Sequence, residues 1–216
     1  MLVLAVDTAT SAVTAGIVEI GAAGVTELAR RRTVGSRGHA ETLTPQIMAC
    51  LAELGRRPTD LDAVVTGIGP GPFTGLRVGM ATAAAFGDAI DVPVYGVCSH
   101  DAIAADVAID RELGDTELLV VTDARRREIY WARYRSGARI DGPGVCAPAA
   151  LEVGAAGVIA GSARHVDYFD LPVEPVESPS PAGLVRVIAP AILAGAQPDP
   201  LEPLYLRRPD AVARQS

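Results

Sequence analysis

The sequence predicts an α/β fold on three observations. Short apolar runs of strand length at 2–6, 61–68 and 118–123 are each bounded by polar or glycine-rich breaks. Leu43, Ile47, Leu51 and Leu54 recur at i, i+4, i+8 and i+11, one face of a helix. Strand and helix patterns then follow the order β-β-β-α-β-α-β within about the first 100 residues.

Residues 2–6 end in Asp7-Thr8, the pattern of a buried strand. Residues 12–20 and 25–32 follow across breaks at Gly21 and Gly24, so the three strands read as a meander. The first helix has two possible openings. Local rules put Thr44 at the N-cap and Pro45 first; the pattern's start at Leu43 instead suits a start near Ala40, with Pro45 in the first turn. Gly55 and Pro58 stop it. Residues 61–68 read as a strand, 69–74 as a loop, 75–90 as a helix and 92–97 as a strand. The second half reads as a helix at 101–108, strands at 118–123, 128–135 and 158–160, and a helix at 182–193 despite Pro190. The Pro- and acid-rich segment 171–181 reads as a surface loop. A break at 198–203 precedes the short piece Leu204-Tyr205-Leu206-Arg207, and no sequence repeat is visible.

The 216 residues are 49% hydrophobic but only 4% aromatic, which predicts a closely packed core of small residues. A chain of this size buries roughly 70% of its unfolded surface, enough for one domain or two compact lobes. Net charge is −7, and all 19 basic residues are arginine. Without lysine, a Walker A lysine, a Schiff base and a Ser–Lys dyad are excluded. An acidic chain is a poor stand-alone ligand for a phosphate backbone, so a partner is expected to hold most of any nucleic acid. Cys50, Cys98 and Cys146 lack metal-type spacing and read as small buried hydrophobes. The first apolar run stops at Asp7, short of a secretory signal or a membrane span; the expected location is cytoplasmic, with no membrane contact.

The most informative stretch is Gly67-Ile-Gly-Pro-Gly-Pro-Phe-Thr-Gly-Leu-Arg-Val-Gly79, which joins a strand to a helix. Glycines permit close approaches and prolines fix φ, so the loop is tight. Thr74 can cap the helix. Donors at a helix start suit an anion, although an architectural turn explains the same residues. Gly75, Gly79, Ala83 and Gly87 then recur every four residues. Glycine in a helix costs about 1 kcal/mol against alanine, so something passes close to this stripe. Either the chain's own sheet or a second chain fits.

Five segments together resemble the TsaB (YeaZ) family. They are Asp7-Thr8-Ala9-Thr10, His39, the stretch 69–79, Asp123-Ala124-Arg125 with Glu128-Ile129-Tyr130, and Pro203-Leu-Tyr-Leu-Arg207. They span nearly the whole chain in the family's order. The resemblance implies the two-lobed actin/Hsp70/sugar-kinase (ASKHA) fold. Its N-terminal lobe would span 1–100 and its C-terminal lobe 101–216, the last residues packing back on the first. It implies a non-catalytic subunit that pairs with a catalytic TsaD-like protein, with a TsaE-like ATPase, in making N6-threonylcarbamoyladenosine at position 37 of tRNA. tRNA would be held mainly through that complex. A third possibility is a homodimer of the chain alone, formed by the same helices as an isologous contact.

The pairing surface expected on that basis is the helices near 40–56 and 75–90, with His39, Gln46, Cys50, Gly75, Gly79 and Ala83 as contacts. Gly69, Gly71, Phe73, Thr74, Gly75 and Arg77 form a structural loop. Kinases of this superfold carry an Asp-x-Gly turn whose glycine lets backbone meet phosphate; Ala9 stands in that place here. The second turn reads Asp123-Ala124-Arg125-Arg126. Asp7, Thr8 and Asp123 are therefore expected to be vestigial phosphate turns, with no cofactor and no catalytic residue. The catalytic relative holds a metal with a His-x-x-x-His pair; here His39 is followed by Leu43, so no metal site is expected. Ser11, Ser36, Ser99 and Ser162 lack a Gly-x-Ser-x-Gly frame, against proteolysis. Three arginines at 125–127 read as a solvated hairpin tip or as a contact for tRNA or partner through Arg125 and Glu128. The alternative function is a stand-alone ATP-dependent kinase-like enzyme.

Overall fold

The computed structural model describes residues 1–35, 38–110 and 113–207; Ser36 and the side chain of His39 lie outside the described residues. Strands β1 (Leu2–Asp7), β2 (Ala12–Gly21) and β3 (Gly24–Val34) form the antiparallel meander. Helix α1 (His39–Glu53) leads to β4 (Ala63–Gly67), and α2 (Phe73–Ile90) leads to β5 (Val94–Val97). Both β4 and β5 add parallel to β1, giving a five-stranded sheet in the order β3-β2-β1-β4-β5. Helix α3 (Ser99–Asp110) then crosses to a second sheet.

That sheet contains β6 (Glu117–Asp123), β7 (Ile129–Arg135), β8 (Ala138–Cys146), β9 (Ala156–Gly161) and the short β10 (Val173–Glu174), in the order β10-β9-β6-β7-β8. Three antiparallel strands are again followed by two parallel ones. The topology thus repeats although the sequence does not. The helices differ. A 3-10 turn (Pro148–Ala150) stands where α1 stood, and the four-residue α4 (Ala163–Val166) stands for α2. Helix α5 (Pro181–Leu193) follows β10 as α3 follows β5.

Alternation along β1 sends its side chains to opposite faces. Leu4 and Val6 pack with Leu43, Ile47 and Leu51 of α1 and Ala83 of α2. Val3 and Ala5 pack with Leu184, Val185 and Ile192 of α5. Helix α3 covers the second sheet, with Ile103 and Val107 against Leu118 and Val120. The two crossing helices are thus exchanged: each leaves one sheet and covers the other. Asp106 of α3 fastens them by accepting from the Ser180 N–H (2.7 Å) and the Ser180 hydroxyl (2.6 Å) at the start of α5. The chain 101–216 therefore supplies much of the first sheet's cover. The segment after α5 also returns to that sheet, where the Leu204 N–H donates to the Ile68 carbonyl (2.8 Å).

Several boundaries differ from the sequence reading. Helix α1 opens at His39 after Gly38 in the left-handed region (φ 78), so Pro45 falls in the second turn rather than the first. Its missing N–H leaves the Glu41 carbonyl without an intrahelical donor on the exposed side. Helix α2 starts at Phe73 with Pro72 at the N-cap, so Thr74 lies inside the first turn and caps nothing. Strand β8 escaped the sequence reading because it is a largely exposed edge strand containing Gly-Pro-Gly, with no apolar alternation to reveal it.

Candidate functional site

Each sheet's first strand ends in an aspartate at the cleft between the sheets. Asp7 closes β1 and is fully buried. Its Oδ1 accepts the Ala9 N–H (3.0 Å) and its Oδ2 accepts the Ser99 hydroxyl (2.6 Å). Burial pushes the Asp7 carboxyl up to about 6, against the hydrogen bonds from Ser99, Ala9 and Thr10 that pull it down. Gly67 makes room for this carboxylate: a Cβ there would stand 1.8 Å from Oδ2.

Asp123 closes β6 and repeats the local turn, its Oδ1 accepting the Arg125 N–H (2.8 Å). Its surroundings are open and charged, with Arg125 at 3.2 Å and His165 Nε2 at 3.3 Å. In both turns the amide two residues after the aspartate is already bonded to that aspartate.

The loop after β4 lies on the first turn. A Cβ on Gly71 would meet the Ala9 carbonyl oxygen at 2.2 Å, so loop backbone rests directly on Ala9. Ala9 in turn packs against Leu76 and Met80 of α2. Thr8 joins the same helix. Its hydroxyl donates to the Gly75 carbonyl (2.7 Å) and accepts the Gly79 N–H (3.0 Å). Those two backbone groups are the partners of one ordinary helical hydrogen bond, which the Thr8 hydroxyl bridges. A Cβ on Gly79 would stand 2.4 Å from that hydroxyl. A Cβ on Gly87 would stand 2.1 Å from Val94 Cγ2. Of the two explanations for the glycine stripe, the chain's own packing accounts for Gly79 and Gly87.

This relocates the expected pairing residues. Gly79 and Ala83 are buried in α2, and Gln46 and Cys50 are buried in α1. Gln46 Nε2 donates to the Thr33 hydroxyl (2.8 Å), and Cys50 faces the Ala15 carbonyl, where burial raises its thiol pKa. In this chain these four face inward, because the apolar stripe of each helix covers the sheet. Gly75 is half-buried, and His39 opens α1. The outward face of the same helices carries Met48, Ala49 and Ala52 on α1 and Ala81, Ala84 and Ala85 on α2, all exposed.

The other loop residues have distinct tasks. Gly69 (φ 100) shapes the turn, and its carbonyl accepts the Ser99 N–H (2.7 Å). Phe73 stacks on Tyr205 with ring centroids 5.1 Å apart. The Arg77 guanidinium lies 3.8 Å over the Phe73 ring and donates to the Tyr205 hydroxyl (2.5 Å). Phe73, Thr74, Thr8, Thr10, Glu41 and Arg125 line a cleft of about 410 Å³.

Sequence reasoning missed the pair that joins the lobes. Ser99 holds Asp7 of the first sheet, and His100 Nε2 meets the Thr122 hydroxyl of the second (2.7 Å). Burial pushes His100 down to about 3, with Arg139 adding to the effect. A polar Ser-His pair directly after a strand was the available signal. Arg207 was quoted only within a motif, yet its guanidinium donates to the Ala124 carbonyl (2.9 Å) and pairs with Glu128 (3.0 Å).

The hairpin tip is unusual in backbone. Arg125, Arg126 and Arg127 all have positive φ, at 64, 52 and 65. Non-glycine residues in this region cost roughly 1–3 kcal/mol each and persist where the surroundings hold them. Here the Ala124 N–H donates to the Glu128 carbonyl and the Glu128 N–H to the Arg125 carbonyl. Among the described residues no group of His, Cys, Asp or Glu is arranged to share a metal ion. No helix of the described chain is long and apolar enough to cross a membrane.

Three comparisons bear on the site. A family model described as TsaD, tRNA N6-adenosine threonylcarbamoyltransferase, matches residues 33–184. The chain is 54% identical to a Mycobacterium leprae protein over 97% of its own length and 56% of that protein's. It is 33% identical to the Escherichia coli tRNA threonylcarbamoyladenosine biosynthesis protein TsaB, over 62% of this chain and 55% of that one. It therefore spans about half the length of these two relatives. Among solved structures, a Pseudomonas aeruginosa protein similar to the peptidase YEAZ superposes with a TM-score of 0.78 at 25% identity, covering 95% of this chain and 99% of that one. The two-lobed architecture expected from the sequence is the one present.

Proposed function

The chain belongs to the TsaD-type tRNA N6-adenosine threonylcarbamoyltransferase family, within its TsaB/YeaZ group, and from that membership we propose that it serves threonylcarbamoyladenosine synthesis as a non-catalytic pairing subunit. Its partner is a TsaD-like catalytic protein, joined by a TsaE-like ATPase; tRNA is held mainly by the complex, in the cytoplasm. Alone, the same face pairs with itself in an isologous contact.

One observation carries the reading. The outward faces of α1 and α2 carry exposed Ala49, Ala52, Ala81, Ala84 and Ala85 with Met48, while the inward faces are used by the chain's own sheet. Small side chains let a second pair of helices approach closely, and a silent partner can still raise a rate by favouring the active state of the catalytic one. The condition of the phosphate turns supports the non-catalytic half. Ala9 is covered by the Gly71 backbone, and the Ala9 and Arg125 amides already bond their own aspartates. A kinase-like alternative needs those amides facing an open cleft.

Gly79→Leu does not test the seam, because the side chain would displace Thr8 inside the fold. Ala84→Glu on the exposed face does. Calorimetry with the TsaD-like protein is expected to show pairing weakened at least tenfold, with circular dichroism unchanged. Equal affinity for wild type and variant would count against the seam. Reconstituted tRNA modification running at full rate without this chain would remove the role itself. Magnesium-dependent ATP turnover by the isolated chain, lost in Asp7→Asn, would favour the kinase-like reading.

A further inference from the structure

The arginine tip between β6 and β7 is not used by the pairing face. It presents Arg125, Arg126 and Arg127, all exposed, on a turn held by Asp123, Glu128 and Arg207. Among the described residues the turn itself carries Arg125, Arg126 and Arg127 with Arg207 beside it, against the carboxylates of Asp123 and Glu128, in a chain of net charge −7. Ala124, Ile129 and Tyr130, the flanking apolar residues, are buried. The exposed part of the tip is thus guanidinium without an apolar centre.

That composition discriminates between partners. Protein interfaces use arginine too, but set it around an apolar and aromatic core, which the exposed part of this tip lacks. Phosphodiester backbones are met by exposed arginines on well-fixed elements, each able to engage phosphate oxygens with two N–H groups. The left-handed backbone, braced from both sides by hydrogen bonds and by Arg207, supplies the fixed element. Arg125 also lines the 410 Å³ cleft, beside Thr8, Thr10 and Thr74.

We infer that the tip formed by residues 125–127 is a direct contact for the sugar–phosphate backbone of RNA, with Arg126 and Arg127 on phosphates and Arg125 at the mouth of the cleft. The inference rests on the proposed function only for the identity of that RNA as tRNA.

The test is fluorescence anisotropy with an end-labelled, unmodified tRNA transcript between 50 and 200 mM salt. It uses the full chain, alone and in complex with its TsaD-like partner. The variant is Arg126→Asn with Arg127→Asn; asparagine tolerates positive φ, so charge is lost while the turn is kept. Arg30→Asn with Arg56→Asn, at exposed positions elsewhere, matches its net charge. Binding by the tip variant is expected to fall about tenfold at 0.1 M salt. The slope of log K against log salt should become shallower by roughly 1.4–1.8, two phosphate contacts' worth. The charge-matched control should stay near wild type.

Affinity and slope equal to the control's would overturn the inference. So would a tip variant whose RNA loss merely follows lost pairing by calorimetry, which would make the tip a protein contact. A chain dispensable for modification that still binds RNA through these arginines would sink the proposed function and leave the tip's role standing.

Discussion

The two sheets share one topology, and each first strand ends in an aspartate that accepts the amide two residues on. What surrounds the two aspartates separates them. The first sheet carries two long helices on the face opposite α5, and the loop into α2 closes over Ala9, so Asp7 is sealed in. The second sheet has only a 3-10 turn and a single helical turn in the corresponding places, so Asp123 stays accessible and meets Arg125 and the His165 ring. The same local turn becomes a buried brace in one half and the anchor of an arginine tip in the other. Burial, rather than the turn's own sequence, sets the chemistry.

Substitutions can break this comparison. The largest effect is expected from Gly67→Ala, which forces a methyl group into the Asp7 carboxylate inside the core. It should cost several kcal/mol, about 3 or more, measured by urea unfolding. A near-wild-type midpoint would mean that Asp7 is not held as described.

Next is the pH dependence of Asp7. Its folded pKa of about 6 lies above the ordinary 3.8, so the folded protein binds the extra proton between those values. The stability this supplies is present below pH 3.8 and is lost as pH rises through about 6, a swing of ~3 kcal/mol. His100 has the opposite slope. Its pKa is lowered from 6.5 to about 3, so its contribution is present above 6.5 and lost as pH falls. The Asp7 effect is therefore read as the difference between wild type and Asp7→Asn. That variant should lose stability less steeply between pH 4 and pH 7. Parallel curves would show that Asp7 does not titrate across this window.

The smallest effect belongs to Asp123→Ala. Its ion pairs are solvent-screened, so thermal unfolding should change by about 1 kcal/mol or less. A loss as large as that of Gly67→Ala would contradict the contrast between the two halves.

Strands β1, β2 and β4 and helices α1 and α2 were legible because each carries an apolar run or stripe that ends up buried. Strand β8 and helix α4 were not: one is an exposed edge, the other a single turn. Among site residues, Asp7 and Asp123 stood out by type and position at strand ends. Ser99 and His100 did not, since their partners lie 92 and 22 residues away. Gln46, Cys50, Gly79 and Ala83, expected at a pairing surface, face inward instead, because a glycine stripe reports a close approach without saying to what.

Taken alone, the amino-acid order determined most of the elements, their class and the aspartates that end the two first strands, since those depend on local periodicity and residue type. Only the folded chain decided which sheet each crossing helix covers, that Thr8 rather than another protein occupies the glycine notch, and that one aspartate is dry while its counterpart is wet. Those outcomes arise from contacts between residues far apart in the chain, where packing geometry and exclusion of water act and no local pattern records them.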